Sequence, residues 1–262
     1  MPYALITGAS KGIGKEFAVS LAKRKYNLLL IARTENLLSE LAGELQTKYG
    51  VSVACKAIDL SLSNAAEDVI AWCKQGNYDI NVLVNNAGYG LNGAFEKLSL
   101  NEQLNMMGLN MNTTVQFTHL AIPLLKQHSG KSYILNVAST AAYQAVPYLG
   151  IYSATKSFVL SFTRAIRQEL KGSNISVTCL SPGAVETHFM ERAGMDKVKK
   201  IVKQAKKVEM QADVVAEFGI NAMLKGKAEV IPGLVNKVGA FANRLVPKNL
   251  VEGVAKGLYS PE

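Results

Sequence analysis

The chain has 262 residues, with 29 basic and 20 acidic side chains and a formal net charge of +9. Hydrophobic residues make up 48% and charged ones 19%, enough apolar surface for one or two packed domains and too much for a disordered chain. No apolar run approaches the roughly 20 residues of a transmembrane helix, the N-terminus lacks a secretory signal, and the three cysteines and three histidines show no ligand or disulfide spacing. The expectation is a reduced, cytoplasmic protein without a metal or an integral membrane segment.

In chain order, Tyr3–Thr7 reads as the first strand. Thr7-Gly8-Ala9-Ser10-Lys11-Gly12-Ile13-Gly14 follows and leads into a helix over Gly14–Lys25. A strand, a glycine-rich turn and a helix N-terminus together aim N–H groups and a positive dipole end at a pyrophosphate, so the loop predicts dinucleotide binding. A tight turn without a ligand is the bland alternative. The second strand, Asn27–Ala32, runs into Arg33, where an NAD-binding sheet places a carboxylate for the ribose 2′-hydroxyl; no acid appears before Glu35. Arg33 and Lys11 therefore predict a 2′-phosphate and NADP(H), against the alternative of two solvated surface cations.

Further strands fall at Ser52–Ile58, Val82–Val84, Ser132–Val137, Ser176–Leu180 and Glu229–Ile231. Helical periodicity separates them at Asn36–Tyr49, Ala65–Gln75, Asn101–Gln127 and Tyr152–Lys171. Continuous apolar strands alternating with helices predict an α/β fold: a doubly wound parallel sheet of Rossmann type with about seven strands between two helical layers. One domain would span residues 1–262. The stretch Pro182–Met210 breaks the alternation and reads as a cover, over about 183–210, on the carboxyl edge where ligands bind.

Within that cover, Lys197–Lys207 interleaves six lysines with Val198, Ile201, Val202 and Ala205 as an amphipathic helix. It reads as a solvated face; an anionic substrate tail or a membrane surface is the alternative. Leu234–Leu245 is a second amphipathic stretch that suits peripheral membrane contact. No nucleic-acid-binding signature accompanies the charge, so no nucleic-acid partner is expected.

Tyr152-Ser153-Ala154-Thr155-Lys156 puts a phenol and an ammonium one helical turn apart, and a nearby cation favours a phenolate. Ser139 lies thirteen residues upstream, just after the strand Ser132–Val137. Asn85-Asn86-Ala87-Gly88 and Pro182-Gly183-Ala184-Val185-Glu186-Thr187 each follow another strand. With Asp59 after the third strand and Asn110, these motifs stand in an order that resembles the short-chain dehydrogenase/reductase family over essentially the whole chain. Asn86-Ala87-Gly88-Tyr89-Gly90 and Ile231-Pro232-Gly233 are similar to the 3-oxoacyl and 17β-hydroxysteroid reductases within it.

The resemblance implies that Tyr152 is the general acid, that Ser139 orients the carbonyl oxygen, and that Lys156 lowers the tyrosine pKa and holds the nicotinamide ribose. Asn110 would hold a water toward solvent; Asn112 is its rival, because Thr113 stands where that motif commonly has glycine. Gly8, Ser10, Lys11, Gly12, Ile13, Gly14, Arg33, Leu60, Asn86, Ala87, Gly88, Pro182, Gly183, Val185 and Thr187 would contact the cofactor. Asp59 would face the adenine unless it only caps a turn. The implied activity is NADPH-dependent reduction of a ketone, a 3-oxoacyl thioester or ketosteroid-like carbonyl, in a homodimer or homotetramer. A broad-range reductase of small carbonyls or pterins is one alternative. A non-catalytic NADP-binding regulator is the other, and the intact Ser139, Tyr152 and Lys156 count against it.

Overall fold

The computed structural model of the chain describes residues 1–243 and 245–260. Among them run seven strands: β1 (Tyr3–Thr7), β2 (Asn27–Ala32), β3 (Val53–Ala57), β4 (Ile80–Asn85), β5 (Ser132–Val137), β6 (Ile175–Leu180) and β7 (Glu229–Val230). All neighbours pair in parallel in the order β3-β2-β1-β4-β5-β6-β7. The order reverses between β1 and β4, and a crevice for ligands forms at such a switch point, beyond the carboxyl ends of the strands.

Helices α1 (Gly12–Lys23), α2 (Glu35–Tyr49), α3 (Ala65–Gln75), α4 (Leu100–Met107), α5 (Thr113–Gln127) and α6 (Gly150–Glu169) connect the first six strands. The C-terminal part adds α7 (Phe189–Arg192), α8 (Lys199–Val208), α9 (Ala212–Leu224), α10 (Leu234–Ala242) and α11 (Lys248–Tyr259). Why the sheet needs both layers is visible in β2, where every residue is buried. Leu28 and Leu30 pack with Phe17, Leu21, Leu38 and Ile220 on one face. Leu29 and Ile31 pack with Val69, Phe117 and Leu125 on the other. Side chains alternate across a strand, so a continuous apolar run demands a helix layer on each side.

Two departures from the periodic reading bear on the site. β4 extends past the apolar run Val82–Val84 because Asn81 and Asn85 lie inside the strand. The Asn85 amide donates to Asn136 Oδ1 at 2.8 Å and to Thr118 Oγ1 at 3.1 Å, so hydrogen bonding admits a buried polar residue that hydropathy rejects. The helix expected over Asn101–Gln127 is divided by a π-helical turn at Gly108–Asn112. This turn leaves Asn110 buried and Asn112 exposed. No helix among the described residues is long and apolar enough to cross a membrane.

Candidate active site

The glycine loop and the turn after β4 are bound into one unit. Thr7 Oγ1 donates to the Val84 carbonyl at 3.3 Å and accepts from the backbone N–H groups of Asn86 and Ala87 at 3.0 and 3.1 Å. The Asn86 amide donates to the carbonyls of Thr7 and Gly8 at 3.0 and 3.1 Å. Gly8 and Gly12 have φ of +66° and +56°, a region that favours glycine. A Cβ on Gly14 would run into the Gly8 carbonyl oxygen and lie 2.6 Å from Asn86 Nδ2. α1 therefore begins two residues earlier than periodicity predicts, at Gly12, with its first-turn N–H groups lacking helical partners. Gly8, Lys11, Gly12, Ile13 and Gly14 line a cavity of about 600 Å³.

Ser139, Tyr152 and Lys156 line the same cavity. Ser139 follows β5 and caps a short helical turn, its Oγ accepting from Ala141 N–H at 3.1 Å. Tyr152 and Lys156 sit one turn apart near the start of α6, both buried. Lys156 Nζ donates to the Val137 carbonyl at 2.9 Å and lies 5.9 Å from the centre of the Tyr152 ring. The Phe189 ring leans on Tyr152 with centroids 5.3 Å apart. Burial pushes the Tyr152 phenol up to about 12, with the Ser139 hydroxyl opposing the rise through a hydrogen bond. Burial likewise pulls the Lys156 ammonium down to about 8. The net shift of Tyr152 is thus upward, against the lowering expected from Lys156, because desolvation outweighs the groups that favour the phenolate.

The remaining expected residues divide. Asn86, Ala87, Gly88, Pro182, Gly183, Val185 and Thr187 line the cavity. The Thr187 methyl would lie 3.2 Å from a Cβ placed on Gly12, so the segment after β6 reaches across to the glycine loop. Ser10, Arg33, Asp59, Leu60 and Asn110 are not part of the cavity wall. Asn110 stands behind it: its Oδ1 accepts from Tyr89 N–H at 3.1 Å, and its Nδ2 donates to the Tyr89 carbonyl and Thr155 Oγ1, both at 3.0 Å. Those bonds fasten the Gly88–Tyr89 turn to α6. Leu60 is buried, with its carbonyl accepting from Thr113 Oγ1 at 3.0 Å. Asp59 Oδ1 accepts from the N–H and hydroxyl of Ser61 at 2.9 and 2.8 Å. These bonds, with the nearby Arg33 charge, hold the Asp59 carboxyl below its usual range. Asp59 thus caps a turn, and Arg33 and Lys11 are exposed.

The segment over 183–210 is joined at its two ends by a parallel bridge between Val185 and Met210. All six lysines of Lys197–Lys207 are exposed, whereas Ile201, Gln204, Ala205 and Val208 line the cavity. No lysine of that run is on the cavity wall, because helical periodicity turns the apolar face inward. Sequence reasoning missed the C-terminal wall: Val235, Asn236, Gly239, Ala240, Asn243, Leu258 and Tyr259 also line the cavity. The amphipathic pattern of Leu234–Leu245 was the available signal, although Arg244 within it lies outside the described residues.

With that geometry in place, comparison with known proteins is informative. Residues 2–198 match the family model for short chain dehydrogenase. A very-long-chain 3-oxoacyl-CoA reductase of Laccaria bicolor is 36% identical over 181 residues, covering 68% of this chain and 53% of that protein. The chain thus spans about half the length of that relative. An NADP-dependent 3-hydroxy acid dehydrogenase of Schizosaccharomyces pombe is 37% identical over 188 residues, covering 71% of this chain and 72% of that one. The solved short-chain dehydrogenase from Sphingobium yanoikuyae in complex with NADPH superimposes with a TM-score of 0.81 at 28% identity, covering 98% of this chain and 95% of the other. The strand order, the glycine loop and these matches agree, and the chain belongs to the short-chain dehydrogenase family.

Proposed function

We propose that the chain is an NADP(H)-dependent oxidoreductase that reduces an apolar or amphipathic ketone, of 3-oxoacyl thioester or ketosteroid-like type, to its alcohol. The observation that carries this reading is the convergence of Ser139 with the buried Tyr152 and Lys156 on the wall of the cavity that also exposes the start of α1. The residues fit a dinucleotide: Gly8, Gly12 and Gly14 let the loop close tightly against Asn86, Ala87 and Thr187, and the α1 N–H groups on the cavity suit a pyrophosphate. When bound, the dinucleotide supplies the hydride.

The chain's own groups then manage the proton. Tyr152 holds its proton at Oη at neutral pH, since its phenol is pushed up to about 12, and gives it to the carbonyl oxygen as charge develops there. Ser139 orients that oxygen. The Lys156 ammonium, held against the Val137 carbonyl, stabilises the phenolate left behind. Asn110 positions this machinery by fastening the Gly88–Tyr89 turn to α6. Val146, Leu149, Met190, Met195, Ile201 and Val208 on the cavity wall favour an apolar substrate.

For the cofactor, Arg33 and Lys11 are the cations offered to a 2′-phosphate, and the names of two relatives support NADP(H). Asp59 would lie near the adenine end while remaining bonded to Ser61. Residues 1–262 would act as one domain. Stacked Phe158 and Phe162 on α6, with centroids 5.8 Å apart and Phe158 exposed, favour pairing of α6 helices in a dimer or tetramer. The test is oxidation of NADPH against a panel of 3-oxoacyl thioesters, steroids, small ketones and quinones, beside NADPH and NADH titrations. Turnover of apolar ketones with NADPH is expected. Each charge-assisted hydrogen bond contributes about 1.5–3 kcal/mol, so Arg33→Ala should weaken NADPH about 10- to 100-fold and spare NADH. Equal affinity of the native protein for both cofactors would overturn the NADP(H) assignment.

A further inference from the structure

α10 is amphipathic in an inverted sense. Its cavity side carries Asn236, Gly239, Ala240 and, just past its end, Asn243. Its solvent side carries Leu234 and Val238, 77% and 58% exposed, and Leu245, beyond the helix end, is 85% exposed. Within the helix, at 3.6 residues per turn, Leu234 and Val238 lie opposite Asn236, Gly239 and Ala240. The next helix, α11, repeats the feature with Leu250 and Val254, 59% and 75% exposed and four residues apart. A run of large apolar side chains of this kind marks an interaction surface rather than a solvated one.

Charge identifies the occupant. Leu234–Tyr259 contains four basic residues and one acid, Glu252. α8, which packs against α11, bears five exposed lysines and no acid. A second copy of the chain applied to this face would bring like charges together. An anionic surface with an apolar interior satisfies both features at once.

We propose that α10 and α11 dock on an anionic lipid bilayer, with Leu234, Val238, Leu245, Leu250 and Val254 entering the interfacial layer. Lys237, Lys248 and Lys256 and the lysines of α8 meet the lipid phosphates. The docked helix is also a wall of the cavity, so the cavity adjoins the lipid surface. This inference is independent of the reductase reading, because binding to vesicles needs neither cofactor nor turnover.

The experiment is flotation of the full chain with phosphatidylcholine vesicles, with and without about a third phosphatidylglycerol. Binding to the anionic vesicles alone is expected, weakening as salt rises. Changing Leu234, Val238 and Leu245 together to Ser should lower the partition coefficient at least about tenfold, with an unchanged circular dichroism spectrum. Neutralising Lys199, Lys200 and Lys203 to Gln should lower it about fivefold per charge. An indole introduced as Leu234→Trp should shift its emission to the blue on anionic vesicles. Native protein that stays unbound at low salt overturns the proposal, as does a triple Ser variant that binds undiminished. A concentration-dependent dimer that the Ser changes dissolve, without vesicle binding, assigns the face to a second copy instead.

Discussion

The two walls of the cavity are held by different forces. Around β1, β4 and β5, the wall is fixed by hydrogen bonds of buried and half-buried side chains: Thr7 accepts from the turn after β4, Asn86 donates to the glycine loop and Asn85 donates to Asn136. The wall formed by α8 and α11 belongs to an apolar cluster of its own, in which Ile201 and Ala255 pack with Met106, Leu149, Tyr152 and Met195. Hydrogen bonds fix position and residue identity; apolar contacts require mainly shape and volume. The first wall therefore admits few substitutions and suits a constant ligand, while the second can be remodelled to suit a substrate.

Substitutions on either wall test that contrast, and the largest expected effect is chemical. Tyr152→Phe removes one oxygen where the two walls meet, and turnover should fall roughly 10²–10⁴-fold with cofactor affinity retained. Steady-state rates beside a fluorescence titration measure both. Ordinary turnover would remove Tyr152 from the mechanism.

A matched pair of glycines tests the walls directly. A Cβ at Gly14 meets the backbone oxygen of Gly8, whereas one at Gly183 meets only the Asn236 side chain. Gly14→Ala should destabilise by about 1–3 kcal/mol and weaken dinucleotide binding. Gly183→Ala should cost less than about 1 kcal/mol as Asn236 rotates, and act mainly on KM. Urea midpoints and KM values for the two variants decide the matter; equal losses would erase the distinction.

The buried pair at the junction of the walls predicts a pH signature. Lys156 has its ordinary value of 10.5 when unfolded and about 8 when folded. Between those values the unfolded chain holds more protons, so the Lys156 contribution to stability rises with pH from about 8 to 10.5. The Tyr152 phenol is raised from 10.0 to about 12, so its contribution falls as pH rises through that window. Lys156→Met should abolish the first slope and, by removing a buried charge, stabilise the chain at neutral pH by roughly 1–3 kcal/mol while activity is lost. Chemical unfolding across this pH range checks the sign.

The smallest effect lies away from both walls, where Arg24 at the C-terminal end of α1 binds Glu217 of α9 with help from Ser20. The Arg24 hydrogen bond leads in holding the Glu217 carboxyl down to about 2 from 4.5. The Glu217 side chain is 44% exposed, so Glu217→Gln should cost less than about 1 kcal/mol. The stability it removes is present above pH 4.5 and fades as pH falls toward 2, so the variant should flatten the acid limb of an unfolding curve.

Local sequence determined the layered sheet because its signals are local. Apolar runs fix β1, β2 and β5 to the residue, and the glycine spacing already implies a backbone loop without Cβ atoms. The order of Ser139, Tyr152 and Lys156 was legible for the same reason: each follows a strand or shares one helical turn. Tertiary structure alone decided the rest. Only the π-helical turn at Gly108–Asn112 decides that Asn110 is buried and Asn112 exposed. Burial, which no spacing reveals, reverses the expected shift of Tyr152. The inward turn of α8, which leaves its lysines in solvent, and the wall built from α10 and α11 depend on contacts between segments far apart in the chain. An amphipathic pattern says that a helix has two faces; the packing around it decides which face meets the cavity and which meets solvent.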